Sequence, residues 1–134
     1  MKQKRMWVVI ALCSISMLIL AGCQAKKRVT QTEVKYKTQI TSIDSYGNVI
    51  IGAIEKEKTA LQVGDTLTVS FGDNGSIEQL TCKLVVDYGD VPVGEYLARF
   101  DNDDGQLKIA INEGAIAEKH QLKEGMTAQI NMVR

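Results

Sequence analysis

From Val34 onward the chain never sustains a helical hydrophobic period. Short β-prone runs are cut again and again by Gly, Asn and Asp. Val34–Ile43 carries Val, Tyr, Ile and Thr at strand spacing, and the turn-forming Ser45-Tyr46-Gly47-Asn48 leads into Val49-Ile50-Ile51. In Thr66–Phe71 the residues Leu67, Val69 and Phe71 alternate and belong on one face, before the turn Gly72-Asp73-Asn74-Gly75. Ile77–Tyr88 is long enough for two strands or one bent strand. Tyr96–Phe100 and Leu107–Ile111 flank Asp101–Gly105, and Gln129–Val133 is the last run. Only Gly114–Leu122 reads as helical, giving one short helix near 115–121. The pattern predicts an all-β fold: a small closed or partly closed β-barrel of seven to eight mostly antiparallel strands. Closure would remove the exposed edges that such short strands leave.

Two segments are alike. Leu61-Gln62-Val63-Gly64-Asp65-Thr66-Leu67-Thr68-Val69 parallels Leu122-Lys123-Glu124-Gly125-Met126-Thr127-Ala128-Gln129-Ile130. Each has a Leu, a Gly three residues on, a Thr, and then a β-branched residue. The expectation is two similar barrel corners, each with a Leu plug, a glycine turn and the start of a strand.

The first residues follow a different logic. Lys2, Lys4 and Arg5 precede an apolar run, Trp7–Ala21, of 15 residues broken only by Ser14 and Ser16. A membrane-spanning helix needs ~20 such residues, so the run suits a signal h-region better. It ends in Leu20-Ala21-Gly22-Cys23, which resembles the bacterial lipobox. Residues 1–22 are therefore expected to be a cleaved lipoprotein signal peptide, with Cys23 the lipidated residue, 23–33 a polar tether and 34–134 the barrel domain. Lipid chains on Cys23, palmitate among them, would hold the protein to a bacterial membrane on its extracytoplasmic side, each buried CH2 adding ~0.8 kcal/mol.

The zero net charge of the full chain, 16 basic against 16 acidic residues, then dissolves. Three of the basic residues precede Cys23, leaving 13 basic and 16 acidic residues, a net of −3. A mildly acidic domain with dispersed basic residues is not expected to bind nucleic acid. Asp101, Asp103 and Asp104 before Gly105 miss EF-hand spacing, and the single His120 with Cys82 cannot supply a zinc set, so no metal site is expected. Cys82 lies in a β-prone run and reads as a small core residue, and His120 as a side chain at the helix C-terminal end. No phosphate-binding glycine loop or nucleophile motif occurs.

Three ordered segments carry a resemblance. Asp44-Ser45-Tyr46-Gly47-Asn48-Val49-Ile50, Tyr88-Gly89-Asp90-Val91-Pro92-Val93-Gly94-Glu95, and Gly105-Gln106-Leu107-Lys108-Ile109-Ala110-Ile111-Asn112-Glu113-Gly114-Ala115-Ile116-Ala117 resemble motifs of the S-adenosylmethionine hydroxide adenosyltransferases, relatives of the SAM-dependent chlorinases and fluorinases. The likeness is to their C-terminal domain, a small β-barrel, and spans about residues 34–133. In that family the active site lies between the N-terminal domain of one subunit and the barrel of its neighbour. The 112 residues from Cys23 onward leave no room for the N-terminal domain, so the resemblance implies a module without catalytic residues. It implies ligand-facing positions at Tyr46, Asn48, Asp103, Asn112, Gly114 and Ala115. At Asn102-Asp103 the family has Asn-Ser, so a carboxylate stands here at the ligand edge. Each residue also has a structural reading: Gly47-Asn48 as a hairpin turn, Tyr46 as a packing residue, Asn112 as a helix cap.

The expected function is a membrane-anchored extracytoplasmic lipoprotein with a non-catalytic binding or interaction barrel. No cofactor is expected, S-adenosylmethionine or adenosine being the ligands the resemblance implies. The partners are the membrane, through Cys23, and a protein or a second copy at the barrel surface. The alternatives are one half of a split adenosyltransferase completed by a separate catalytic subunit, and a structural envelope lipoprotein.

Overall fold

The computed structural model describes residues 30–75, 77 and 79–134. The expected signal peptide, Cys23 with its expected lipidation, and most of the expected tether lie outside the described residues. Eight strands form one sheet: β1 (Glu33–Gln39), β2 (Ser42–Ile43), β3 (Val49–Glu55), β4 (Thr66–Phe71), β5 (Leu80–Leu84), β6 (Tyr96–Phe100), β7 (Gln106–Ile111) and β8 (Thr127–Val133). One α-helix, α1 (Ile116–His120), stands between β7 and β8. The order across the sheet is β1-β8-β4-β5-β6-β7-β3-β2. Its two ends are halves of one bent strand. At the bend, the Ile40 amide donates to the Met126 carbonyl on the β8 side and the Thr41 amide to the Ile50 carbonyl on the β3 side. The sheet therefore curls into a partly closed barrel, the all-β fold that the alternation predicts.

Period-two alternation fills the inside. Leu67, Val69 and Phe71 of β4, Leu80, Cys82 and Leu84 of β5, and Ala128, Ile130 and Met132 of β8 are all buried in one core. Thr81 and Lys83, between the β5 residues, are exposed. In β3 the register against β7 shifts between Ile51 and Glu55, a bulge that brings Ile54 into the core out of phase with Val49 and Ile51. Ile116, the first residue of α1, and Leu122, just after the helix, join the same core.

The two similar segments occupy equivalent places. Val69 of β4 pairs directly with Ile130 of β8, its own counterpart in the repeat. At one corner the Gly64 amide donates to the Leu84 carbonyl, and the Leu84 amide to the Asp65 carbonyl; at the other, the Gly125 amide donates to the Ile40 carbonyl, and the Ile40 amide to the Met126 carbonyl. Gly64 and Gly125 both have positive φ, +102° and +82°, and Leu61 and Leu122 are both buried. The two corners are thus related by a local pseudo-twofold through the Val69–Ile130 pair.

Among the described residues, Ile77–Tyr88 holds a single strand, Leu80–Leu84, rather than two strands or one bent strand. The reason is topological. β5 and β6 are parallel, with Lys83 opposite Leu97 and Leu84 opposite Ala98. A parallel pair needs a crossover of about a dozen residues, and Val85–Glu95 is that crossover. It leaves the sheet through a 3-10 turn, Tyr88–Asp90, started by Asp90 Oδ2, which accepts hydrogen bonds from the amides of Val86 and Asp87. The crossover lies against the outer face of the sheet, where Val85 and Val91 pack on Leu97 and Ala110 in a second small core, with Tyr88 against it.

Candidate functional site

Beside that second core, an open cleft of about 710 Å³ runs over the outer face of β6 and β7. Three loops wall it: Asp44–Asn48 before β3, the crossover around Tyr88, and Ile111–Ala115 before α1. These are the three segments of the family resemblance, and they bind one another directly.

The first loop is an Asx-type turn. Asp44 Oδ1 accepts hydrogen bonds from the backbone amides of Tyr46 and Asn48, each at 2.9 Å. The Asn48 side chain, buried at 3% exposure, donates to Asp44 Oδ2 at 3.0 Å and to the Tyr88 hydroxyl at 3.3 Å, joining the first segment to the second. Gly47, with φ +76°, turns the loop onto the third segment. A Cβ there would lie 2.7 Å from Ala115 Cβ, and the Gly47 carbonyl accepts from the Ala117 amide at 3.0 Å. The second and third segments meet at Asn112. Its side chain donates to the Val91 carbonyl at 2.8 Å, its amide to the Glu95 carbonyl, and its carbonyl accepts from Gly94. Asn112 therefore ties the crossover down and does not cap α1, whose N-cap Ala115 has no side-chain hydrogen bond. Glu113, at the rim, has φ +57°, a strained conformation for a residue with a side chain.

The floor carries charge. Lys108 of β7 bridges two carboxylates, Asp101 at 2.7 Å and Asp44 at 3.2 Å. Partial burial alone would raise the Asp44 pKa, but the Asn48 side chain and amide, Lys108 and the Tyr46 amide outweigh it and hold the carboxyl below the ordinary carboxylate value. The hydrogen bond from Lys108, with that from the Asp103 amide, holds Asp101 down as well. In Lys108 burial works against the charged form, and the two carboxylates overcome it and raise the pKa. Arg99 of β6 stands directly across the strand pair from Lys108, with its guanidinium carbon 5.1 Å from the centre of the Tyr88 ring.

Of the six positions named from the sequence, Tyr46, Asn48, Asn112, Gly114 and Ala115 all line this cleft. Tyr46 is 78% exposed there, its ring open to solvent. Asp103 does not line it. It lies in the Asp101–Asp104 turn, exposed, with its amide bonded to Asp101 Oδ1, so its carboxylate points to solvent rather than edging the ligand site. In the same turn Asp104 accepts the Gln106 amide. These aspartates shape a hairpin, and no group of three His, Cys, Asp or Glu side chains gathers for a metal among the described residues. His120 faces Tyr96 instead, its Nε2 2.7 Å from the hydroxyl. Sequence reasoning gave no role to Asp44, Tyr88, Arg99 or Lys108. Asp44, Tyr88 and Lys108 stood within the quoted segments. The signal for Arg99 was its strand phase, shared with the buried Leu97.

Such a site is an open cleft of small-molecule size on the outer wall of a small β-barrel domain. The chain belongs to the family described as the SAM hydroxide adenosyltransferase C-terminal domain, which matches residues 38–129. Among solved structures it is similar to an uncharacterized conserved protein from Thermotoga maritima, at 26% identity and a TM-score of 0.60 over 70% of this chain and 35% of that one. It is also similar to a conserved hypothetical protein from Thermus thermophilus, at 26% identity and a TM-score of 0.50 over 70% and 34%. The chain spans about a third of the length of these two proteins. No curated protein matches it.

Proposed function

We propose that the protein is a lipoprotein anchored through Cys23 on the extracytoplasmic side of a bacterial membrane, and that its barrel is a non-catalytic binding module for a nucleoside-like ligand. The observation that carries the reading is the meeting of three sequence-distant segments around one cleft, with Tyr46, Gly114 and Ala115 at its mouth. The exposed Tyr46 ring offers a flat apolar face for a heterocycle, and the small residues beside it admit close approach to backbone. Catalysis is not assigned, because Asp44 is committed to Lys108 and Asn48. Calorimetry on the full chain in detergent, titrated with adenosine and with S-adenosylmethionine, tests the ligand class. Saturable heat that Tyr46→Ala weakens is expected, and no heat with either ligand up to about 1 mM would remove the reading. For the anchor, Cys23→Ser should leave an unlipidated precursor of unchanged leader length. An unaltered mass difference and membrane attachment would refute it.

One observation favours a second reading, the C-terminal half of a split adenosyltransferase. The cleft is open on the side where Tyr46 projects, and the similar solved chains are about twice as long, the match covering 70% of this chain and 35% of the first of them. Turnover of S-adenosylmethionine on adding a separately encoded catalytic subunit would establish it in place of the first.

A further inference from the structure

Arg99 is the group in the cleft whose chemistry is incomplete. It is 9% exposed, yet its Nε is buried with no hydrogen-bond partner, and no carboxylate lies within ion-pair distance of its guanidinium among the described residues. Its neighbour across the strands, Lys108, is in the opposite condition, ion-paired with two carboxylates; one of them, Asp101, also feels the Arg99 charge, but its hydrogen bonds go to Lys108 and the Asp103 amide. Two cations directly opposite on one face of a strand pair repel. Asp44 and Asp101 relieve that repulsion but are both drawn to Lys108, and the other acid lining the cleft, Glu113, is exposed at the rim. What faces Arg99 is the Tyr88 ring, which supports a cation but accepts none of its N–H donors in their plane. A buried cation with no ion pair of its own and an unpartnered Nε–H is costly, and a guanidinium presents a fork that fits two oxygens of one anionic group.

We propose that Arg99 is a subsite for an oxyanion, so that the ligand of this cleft carries a carboxylate or phosphate group seated on the guanidinium. The proposal deepens the nucleoside reading of the same cleft and rests on it for the remainder of the ligand: the heterocycle lies at the Tyr46 mouth and the anion at the Arg99 end. A neutral nucleoside then fills only part of the site.

Two measurements on the full chain, in a maltoside detergent free of phosphate, test it. In the first, the protein is labelled with 15N-arginine and titrated with inorganic phosphate and, separately, with acetate. The Arg99 Nε–H signal, assigned by its loss in Arg99→Lys, is expected to shift saturably with at least one anion, and which one identifies the group. No shift with either overturns the proposal. In the second, adenosine 5′-monophosphate is compared with adenosine by calorimetry. The monophosphate is expected to bind about tenfold or more tighter, the range of a charge-assisted hydrogen-bonded pair. Arg99→Gln should bring the two to near equality. A preference that survives Arg99→Gln, or equal binding by the wild type, overturns the proposal. If phosphate or acetate moves the Arg99 signal while neither nucleoside binds, the anion subsite stands and the nucleoside reading falls. The first measurement reads the wild type and needs only the charge-retaining Arg99→Lys for its assignment, so it holds even if Arg99→Gln does not fold.

Discussion

Gly47→Ala tests whether the contact between the first and third segments holds the cleft together. Two costs combine. Gly47 has φ +76°, where a side chain costs about 1–2 kcal/mol. The new Cβ would also lie 2.7 Å from Ala115 Cβ, against an optimal carbon separation of about 3.5–4.0 Å. The loop must open by about an ångström, and such overpacking costs about 1–3 kcal/mol. The sum, about 2–5 kcal/mol, is a large part of the roughly 5–15 kcal/mol that stabilises a typical domain. At about 4–8 °C per kcal/mol for a domain of this size, Tm should fall by more than about 10 °C. Ala115→Gly separates the two costs. Alone it should cost no more than about 1 kcal/mol, through backbone freedom. Added to Gly47→Ala it should be stabilising, recovering the overpacking cost and leaving the φ cost. Urea unfolding of the four proteins gives the cycle, with an expected coupling of about 1–3 kcal/mol. A Gly47→Ala loss below about 1 kcal/mol, or no recovery in the double variant, would refute the packing argument.

The remaining predictions concern the charged floor, the core and the corners. Asp44 and Asp101 titrate below the ordinary value of 3.8 in the folded state, so their contribution to stability is present above 3.8 and lost as pH falls through their folded values. Urea midpoints between about pH 5 and pH 2 should therefore fall less steeply in Asp44→Asn than in wild type, and equal slopes would count against the network. Lys108 runs the other way: its folded pKa is raised above 10.5, so its contribution is complete below 10.5 and lost as pH rises through the folded value, and Lys108→Met should flatten the alkaline limb of the same curve. Burial pushes the Cys82 thiol up to about 12, and a thiol reagent at neutral pH should label it only on unfolding; rapid labelling of the native protein would contradict that. Leu61→Ala and Leu122→Ala, at equivalent corners, should each cost about 2–5 kcal/mol and agree within about 1 kcal/mol. A much larger difference would mean that the corners share geometry but not packing.

The local signals explain most of the barrel. Alternation in Thr66–Phe71, Leu80–Leu84 and Thr127–Val133 selects one buried face, and glycines at Gly47, Gly64, Gly105 and Gly125 adopt the positive φ that their turns demand. Pairing partners were not legible, because they are fixed by closure rather than by any local pattern. The repeat shows the difference. Its two copies announce similar corners, but nothing local says that Val69 and Ile130 become direct partners. The parallel β5–β6 pair was hidden in the same way. Val85 and Val86 continue a β-prone run, and what ends the strand is the crossover geometry together with the Asp90 carboxylate, four residues past Val86.

The site divides along the same line. Loop positions such as Tyr46, Asn48 and Ala115 were legible because turns need particular residue types, and the turn chemistry that marks them also brings them together. Arg99 and Lys108 were not, because a charge on a strand ordinarily reads as its solvated face. Here both faces of β6 are covered: Ala98 and Phe100 point to the barrel core, and Leu97 packs in the second core beneath the crossover. Once both faces are covered, an arginine in phase with Leu97 cannot be a solubilising charge. Lys108, in the same position on β7, is ion-paired with two acids from other loops, whereas among the described residues Arg99 makes no ion pair and meets Asp101 only through space. A crossover that made only the second core would be served as well by an apolar residue at position 99, since removing a buried charge for packed side chains of similar volume is often neutral or stabilising. A guanidinium at that place, beside a cleft open to solvent, is what the proposed anion subsite requires, and an apolar residue there would serve the second core without it.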